Sequence, residues 1–237
     1  MKKKDFVIGV LGGMGTYATI NMFKQYADIF AAEKEWDRPR IIIDNRCTMP
    51  SRVRAAIYNE NVEQLVEQMS DSLESLISIG GDYTKVILAC NTSHIFLPLI
   101  YKRNPQIEQN IVSIINQCVE EIKDDKIKNV YLLASEGTIQ LEIYQKELSV
   151  YGINCIVPEN KEYGLLRECI EAVKQNKYSK EIEEIFLELV NRYDNCILGC
   201  TELPILYEKY KQKIQVKVYD PILITIKYLK KEFDIYE

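Results

Sequence analysis

Histidine is almost missing from this chain: His94 is the one imidazole in 237 residues. Seven cysteines accompany it, scattered along the sequence with no Cys-x-x-Cys pair. A zinc site has too few ligands at workable spacing, so no metal is expected. An odd set of scattered cysteines also argues against a disulfide framework and places the chain in a reducing compartment, the cytoplasm. No apolar run approaches the roughly 18 residues that suggest a membrane span. Lysine and arginine total 30 against 35 acids, a net charge of −5, and no basic stripe stands out. Neither nucleic acid nor membrane is an expected partner. The start, Met1-Lys-Lys-Lys before Phe6–Leu11, has the outline of a short signal peptide. Asp5 interrupts it and no small-residue cleavage site follows, so it reads as a buried first strand. Gly12-Gly-Met-Gly15 lacks both the full G-x-G-x-x-G spacing and the P-loop Lys-Ser/Thr, which leaves no nucleotide-binding signature.

The segments that are present say similar things twice. Phe6–Leu11 is a short apolar run ended by Gly12-Gly13-Met14-Gly15, with a helix-compatible stretch from Thr19 to about Glu33. Ile41–Asp44 is a second strand. Asn59–Ile79 carries apolar residues at helical spacing and is closed by Gly80-Gly81. Lys85–Ala89 is a third strand, with Cys90-Asn-Thr-Ser-His94 at its end. In the second half Val130–Ala134 is a strand, Ser135-Glu-Gly137-Thr138 a loop, and Gln140–Val150 a helix stopped by Gly152. Ile153–Val157 is the next strand, and helices follow near Tyr163–Lys174 and Ser179–Arg192. Cys196–Gly199 is then a strand, with Cys200-Thr-Glu-Leu-Pro204 at its end. Val216–Tyr219 and a helix over about Ile222–Lys231 complete the chain.

Alternating strands and helices imply parallel sheets covered on both faces. The expected fold is α/β, with two pseudo-symmetric three-layer domains. Residues 1–100 plus 211–237 form the first and carry Cys90; residues 101–210 form the second and carry Cys200. Ligands of such sheets bind at the carboxyl ends of the strands, where both cysteines fall. Thr92 and Thr201 are suited to cap the helices that follow, leaving free backbone N–H groups for a substrate carboxylate.

Two thiols in matching contexts suit one kind of chemistry well. Inverting a carbon centre requires taking a proton from one face and returning one to the other, and two groups of opposite protonation do this most simply. Cysteine can serve because its ordinary pKa of about 8.5 falls at a helix N-terminus. Cys47, Cys118, Cys155, Cys169 and Cys196 lack that context and read as inert thiols, with Cys47 the most open to question because it follows the Asp44-Asn45 strand end. His94 reads as a local hydrogen-bonding residue rather than a nucleophile's partner.

Gly9-Val-Leu-Gly-Gly-Met-Gly15, Cys90-Asn-Thr-Ser-His94 and Gly199-Cys-Thr-Glu202 together resemble the aspartate/glutamate racemase family, specifically its aspartate racemase branch. The resemblance covers essentially the whole chain. It implies a racemase that interconverts L- and D-aspartate, and also glutamate, by a two-base mechanism without pyridoxal phosphate or metal. It further implies a homodimer, and an active site in the cleft between the two domains. Carried over by motif, Cys90 and Cys200 are the catalytic acid/bases. Asn91, Thr92, Ser93 and Thr201 hold the α-carboxylate and α-ammonium, Met14 offers backbone contacts, and Thr138 completes the substrate-binding set. Glu202 orients Cys200 or binds the ammonium. Arg52 matches an arginine that grips the distal carboxylate, with Arg46 and Arg54 as competitors nearby. Glutamate racemases carry Asp-Ser in the first loop and His after the second Cys-Thr, where this chain has Gly12-Gly13 and Glu202. Aspartate racemases place a lysine before the helix containing Leu165–Val173; here Tyr163 stands there, with Lys161 two residues earlier. Two other readings stay open: cis–trans isomerisation or decarboxylation of a small dicarboxylic acid on the same fold, and a binding module for acidic metabolites.

Overall fold

A computed structural model describes residues 5–235, so the Met1–Lys4 run weighed above as a leader lies outside the described residues. The chain forms two compact units. One contains the residues up to Ile114 and those from Ile222 on; the other is Ile115–Pro221.

The first unit is built on β1 (Val7–Gly12), β2 (Arg40–Asn45) and β3 (Thr84–Leu88), all parallel, in the order β2-β1-β3. Connections are made by α1 (Thr16–Ile29), α2 (Arg52–Tyr58), α3 (Val62–Gly80) and α4 (Leu97–Arg103). β1 is buried along its whole length because it is central and covered on both faces. On one face Leu65, Val66, Met69, Leu73 and Leu76 of α3 pack under Leu11, Val86 and Leu88. Full burial of one such side chain contributes about 1.5–3 kcal/mol. On the other, Phe233 meets Phe6 and Phe30 at 5.8 and 5.6 Å between ring centroids.

α1 begins at Thr16, three residues before the sequence suggests. The Thr19 hydroxyl explains this: it donates to Gly15 O and accepts from Gly13 N, each at 3.2 Å, so it staples the glycine loop onto the first turn. Gly13 has φ +77°, and a Cβ there would come within 2.4 Å of the Arg46 backbone, so only glycine fits where the β1 and β2 loops meet.

The second unit repeats the order: β4 (Asn129–Ala134), β5 (Asn154–Ile156), β6 (Asn195–Gly199) and β7 (Lys217–Tyr219) form a parallel sheet β5-β4-β6-β7. Its β5-β4-β6 core corresponds to β2-β1-β3. α5 (Ile114–Asp124), α6 (Glu136–Gln140), α7 (Ile143–Val150), α8 (Asn160–Lys174), α9 (Lys180–Val190) and α10 (Leu203–Tyr210) connect these strands. Leu166, Ile170 and Val173 of α8 and Phe186 and Leu189 of α9 pack on Tyr131, Leu133 and Leu198. The Ser135–Thr138 stretch expected as a loop is instead the start of α6. Ser135 caps it through a 3.4 Å bond from Thr138 N, which closes a turn at once after the strand. The chain ends in α11 (Pro221–Ile235).

The boundaries between units fall at 114/115 and 221/222, later than the expected 100/101 and 210/211. Past α4 the chain stays on the first sheet: Asn110 Nδ2 donates to Thr84 O at 2.9 Å and Val112 N to Val86 O at 2.8 Å. The 211–221 stretch belongs to the second unit because β7 pairs with β6 and Tyr219 Oη donates to Asp125 at 2.9 Å.

Candidate functional site

Parallel pairing brings all the strand ends of a sheet to one edge. In the first unit these are the Gly12–Gly15 loop after β1, the Asn45–Ser51 loop after β2, and Cys90 just past β3. Ala89 N donates to Leu11 O at 2.9 Å, so Cys90 emerges beside the glycine loop. Cys90 is half-buried, while Met14, Asn91, Thr92, Ser93 and His94 are buried. The hydrogen bonds at Cys90 fall on its carbonyl: Ser93 Oγ donates at 2.6 Å and His94 Nδ1 lies at 3.0 Å. Burial pushes the His94 pKa down to about 4, against the pull of the Cys90 and Asn91 carbonyls, so the imidazole is neutral at physiological pH.

Three arginines near this edge differ sharply. Arg54 is bidentate to Glu60, 2.7 Å on each nitrogen, and exposed. Arg46 donates to Gln68 O and Ser72 Oγ and reaches Asp71 at 3.7 Å. Arg52 is half-buried, and the partners of its terminal nitrogens are carbonyls: Met49 O at 3.4, Pro50 O at 2.9 and Met14 O at 3.2 Å. Its Nε is buried without a partner among the described residues. Arg52 thus ties the β2 loop to the β1 loop and keeps its charge uncompensated by a carboxylate among the described residues.

In the second unit β4 runs into Ser135 and β6 into Cys200, and Ala134 pairs with Gly199. Cys200 is half-buried, and its Sγ donates to Glu202 Oε2 at 3.0 Å. Glu202 is only 3% exposed, and its other oxygen, Oε1, is buried with no partner among the described residues. The Cys200 carbonyl accepts Leu203 N at 3.0 Å. Thr201 is buried, and Thr138 has no exposed surface, its hydroxyl 3.1 Å from Ser135 Oγ. Lys161 pairs with Glu159 at 3.0 Å on the surface, and Tyr163 is half-buried.

Neither threonine caps as expected. Asn91 and Glu202 occupy the cap positions, both in the right-handed helical region, and neither makes a side-chain cap bond. A Ser/Thr cap needs extended backbone at its own residue, and here each chain coils as soon as it leaves the strand.

Two features escaped the sequence. Lys174, the last residue of α8, lies within electrostatic reach of Glu202 and Cys200. Burial works against its own charge, yet a 2.9 Å bond to Glu171 and those two neighbours hold its pKa above the ordinary range. Its position at the end of a long helix carries no sequence signal. Cys47 is exposed, with Asn45 Nδ2 at 3.2 Å and Thr16 Oγ1 at 3.3 Å from its sulfur. Only the strand-end position hinted at that. By contrast, burial raises Cys118 and Cys196, and pushes Cys155 and Cys169 up to about 12, as inert thiols require. No group of three possible metal ligands occurs among the described residues, and no helix among them is long and apolar enough to cross a membrane.

Two parallel α/β sheets of matching order, each with a cysteine at the end of the equivalent strand, define a class of two-unit enzyme folds. The chain belongs to the Asp/Glu/hydantoin racemase family, whose sequence model matches residues 11–229. It is 24% identical over 218 residues to the broad specificity amino-acid racemase RacX of Bacillus subtilis, covering 89% of this chain and 91% of the relative. The solved aspartate racemase of Picrophilus torridus superposes with a TM-score of 0.77 at 27% identity, over 98% of this chain and 99% of that one. Glutamate racemase from Francisella tularensis, in complex with D-glutamate, shares the fold at a TM-score of 0.66 and 19% identity, over 98% of this chain and 82% of that one.

Proposed function

We propose that this protein is a cofactor-independent racemase of acidic amino acids, interconverting L- and D-aspartate and accepting glutamate as a second substrate. The observation that carries the reading is the twin placement of Cys90 and Cys200 just beyond β3 and β6, equivalent strands of sheets β2-β1-β3 and β5-β4-β6. One cysteine, as thiolate, takes the Cα proton and leaves a planar carbanion; the other, as thiol, returns a proton to the opposite face. The enzyme finishes with the two roles exchanged, and the reverse direction restores them.

Each end supplies what its cysteine needs. Glu202 Oε2 already accepts the Cys200 S–H and is placed to take and return that proton. Arg52 grips the distal carboxylate: among the three arginines it alone lacks an acidic partner among the described residues, and a guanidinium suits bidentate carboxylate binding. Asn91, Thr92, Ser93 and Thr201 orient the α-carboxylate and ammonium, with Met14 and Thr138 shaping the loops around them. Retention of both thiols favours racemisation over decarboxylation, which needs a proton delivered to one face only. The family relative RacX is a broad specificity enzyme. With Tyr163 in place of a lysine, this supports a substrate range wider than aspartate.

The test is incubation of the purified protein with L-aspartate in deuterated water, without added pyridoxal phosphate, followed by chiral chromatography and mass spectrometry. D-aspartate carrying deuterium at Cα is the expected product. Absence of exchange and of inverted product, across aspartate, glutamate and a panel of neutral and basic amino acids, sinks the reading.

A further inference from the structure

We propose that His94 is a positioning residue for Cys90: with the Ser93 hydroxyl, its imidazole pins the Cys90 carbonyl and so fixes the direction in which the thiol leaves the strand end. Only the kinetic half of the test rests on the racemase reading.

The two cysteines leave their strands differently. At Cys200 the carbonyl accepts a backbone amide three residues on, from Leu203, at 3.0 Å. At Cys90 the turn closes one residue later. The His94 amide goes to Asn91 O at 3.1 Å, and the Cys90 carbonyl accepts side chains instead. Ser93 Oγ at 2.6 Å and His94 Nδ1 at 3.0 Å both converge on that one oxygen. A carbonyl only accepts, so Nδ1 carries the proton and Nε2 is a bare acceptor.

That assignment explains why the residue is histidine. Nε2 is buried and has no partner among the described residues, and His94 is 8% exposed. A buried acceptor without a donor is a cost that leucine, of similar volume, would not carry. The imidazole offsets it with the Nδ1–H bond, which leucine lacks. The ring is neutral, because burial lowers its pKa to about 4. It faces the carbonyl, so it holds Cys90 in place and does not exchange protons with it.

The experiment compares His94→Leu, which removes the donor, with His94→Gln, whose amide N–H can reach the same oxygen. Iodoacetamide alkylation of Cys90 and Cys200 is followed by peptide mass spectrometry. Cα exchange in deuterated water is measured from each enantiomer of aspartate. In His94→Leu, Cys90 alkylation is expected to change at least about threefold while Cys200 keeps its rate. Exchange from one enantiomer falls roughly 10- to 100-fold in kcat with little change in KM, the size expected when a reacting group is displaced by about an ångström. His94→Gln restores most of both.

Equal losses at both cysteines and for both enantiomers, no change at either, or a Gln variant as impaired as Leu each overturn the proposal. Should His94→Leu fail to fold, Ser93→Ala, which removes the other donor on the same oxygen, must change Cys90 alkylation while Cys200 keeps its rate; that variant is read by alkylation alone, because Ser93 also belongs to the proposed substrate-binding set. If the wild-type protein racemises nothing, the function proposed above fails, yet the alkylation comparison still decides the role of His94.

Discussion

The two strand-end cysteines are held by opposite means. Cys200 has its sulfur in a hydrogen bond, to Glu202, and its carbonyl in an ordinary backbone turn. Cys90 has its carbonyl gripped by two side chains, Ser93 and His94. The halves share strand order and the level at which each thiol emerges, so the fold repeats while the chemistry around each thiol does not. In the two-base reaction proposed above, the two faces of a chiral substrate present different groups, so proton transfer at each thiol is tuned separately.

The largest effect should come from removing either thiol. Cys90→Ala and Cys200→Ala are each expected to lower racemisation by at least about 10³-fold, since inversion needs both groups. Each variant should still exchange the Cα proton of one enantiomer, a different one in each. Retained racemisation in either variant, read by chiral chromatography, breaks the comparison at its root.

Next is a stability difference confined to the first unit. His94 has an ordinary pKa of 6.5 and a folded value of about 4. The unfolded chain therefore binds the proton first, and stability is lost as pH falls from about 6.5 toward 4. The total is roughly 3 kcal/mol, since each pKa unit is worth about 1.4 kcal/mol. Urea unfolding at pH 7.5 and pH 5 should show most of this loss in wild type and a smaller one in His94→Gln. An identical pH dependence in both proteins would remove His94 from the account.

Much of this was legible in the sequence, and what was not has physical causes. The seven strands, the helices α1, α3, α7, α8, α9 and α11, and both cysteines at strand ends follow from apolar periodicity and glycine punctuation; the shorter helices α2, α4, α5 and α10 are not delimited by these signals. The misplaced edges trace to bonds that close over a distance. Thr19 reaching back to Gly13 starts α1 early, and Asn110 on Thr84 keeps the first unit going to Ile114. At the site, Arg52 could not be separated from Arg46 and Arg54 by spacing, because what distinguishes them is which partner each has found. Lys174 beside Cys200 and Glu202 was invisible, since α8 and β6 meet only in the folded chain. The threonine caps failed because capping depends on backbone angles that Cys-Thr does not reveal.

A smaller effect, about 30-fold, is expected of Glu202→Gln, below the roughly 10²–10⁴-fold of a lost acid/base group because the thiol itself remains. The glutamine keeps an oxygen for the Cys200 S–H but cannot take up the proton. The loss should therefore fall on exchange from the enantiomer that Cys200 serves, as measured in deuterated water. A loss shared evenly between enantiomers would mean that Glu202 binds substrate and does not serve its thiol.

The mildest change concerns specificity. Arg52 commits both Nη1 hydrogens and one Nη2 hydrogen to the Met49, Pro50 and Met14 carbonyls, so it is held by the loops and keeps a second Nη2–H and the Nε–H as a fork at the first unit's strand ends. Lysine would retain the charge but lose the planar fork that matches a carboxylate in two places. Arg52→Lys is expected to raise KM for aspartate about tenfold with kcat little changed, the pattern of lost ground-state binding. Exchange of an amino acid lacking a distal carboxylate should be almost unaffected, because it has nothing for the guanidinium to hold. Measuring both substrates on one variant separates binding of the acidic side chain from loosening of the glycine loop. A loosened loop would penalise the two alike and would assign Arg52 to architecture.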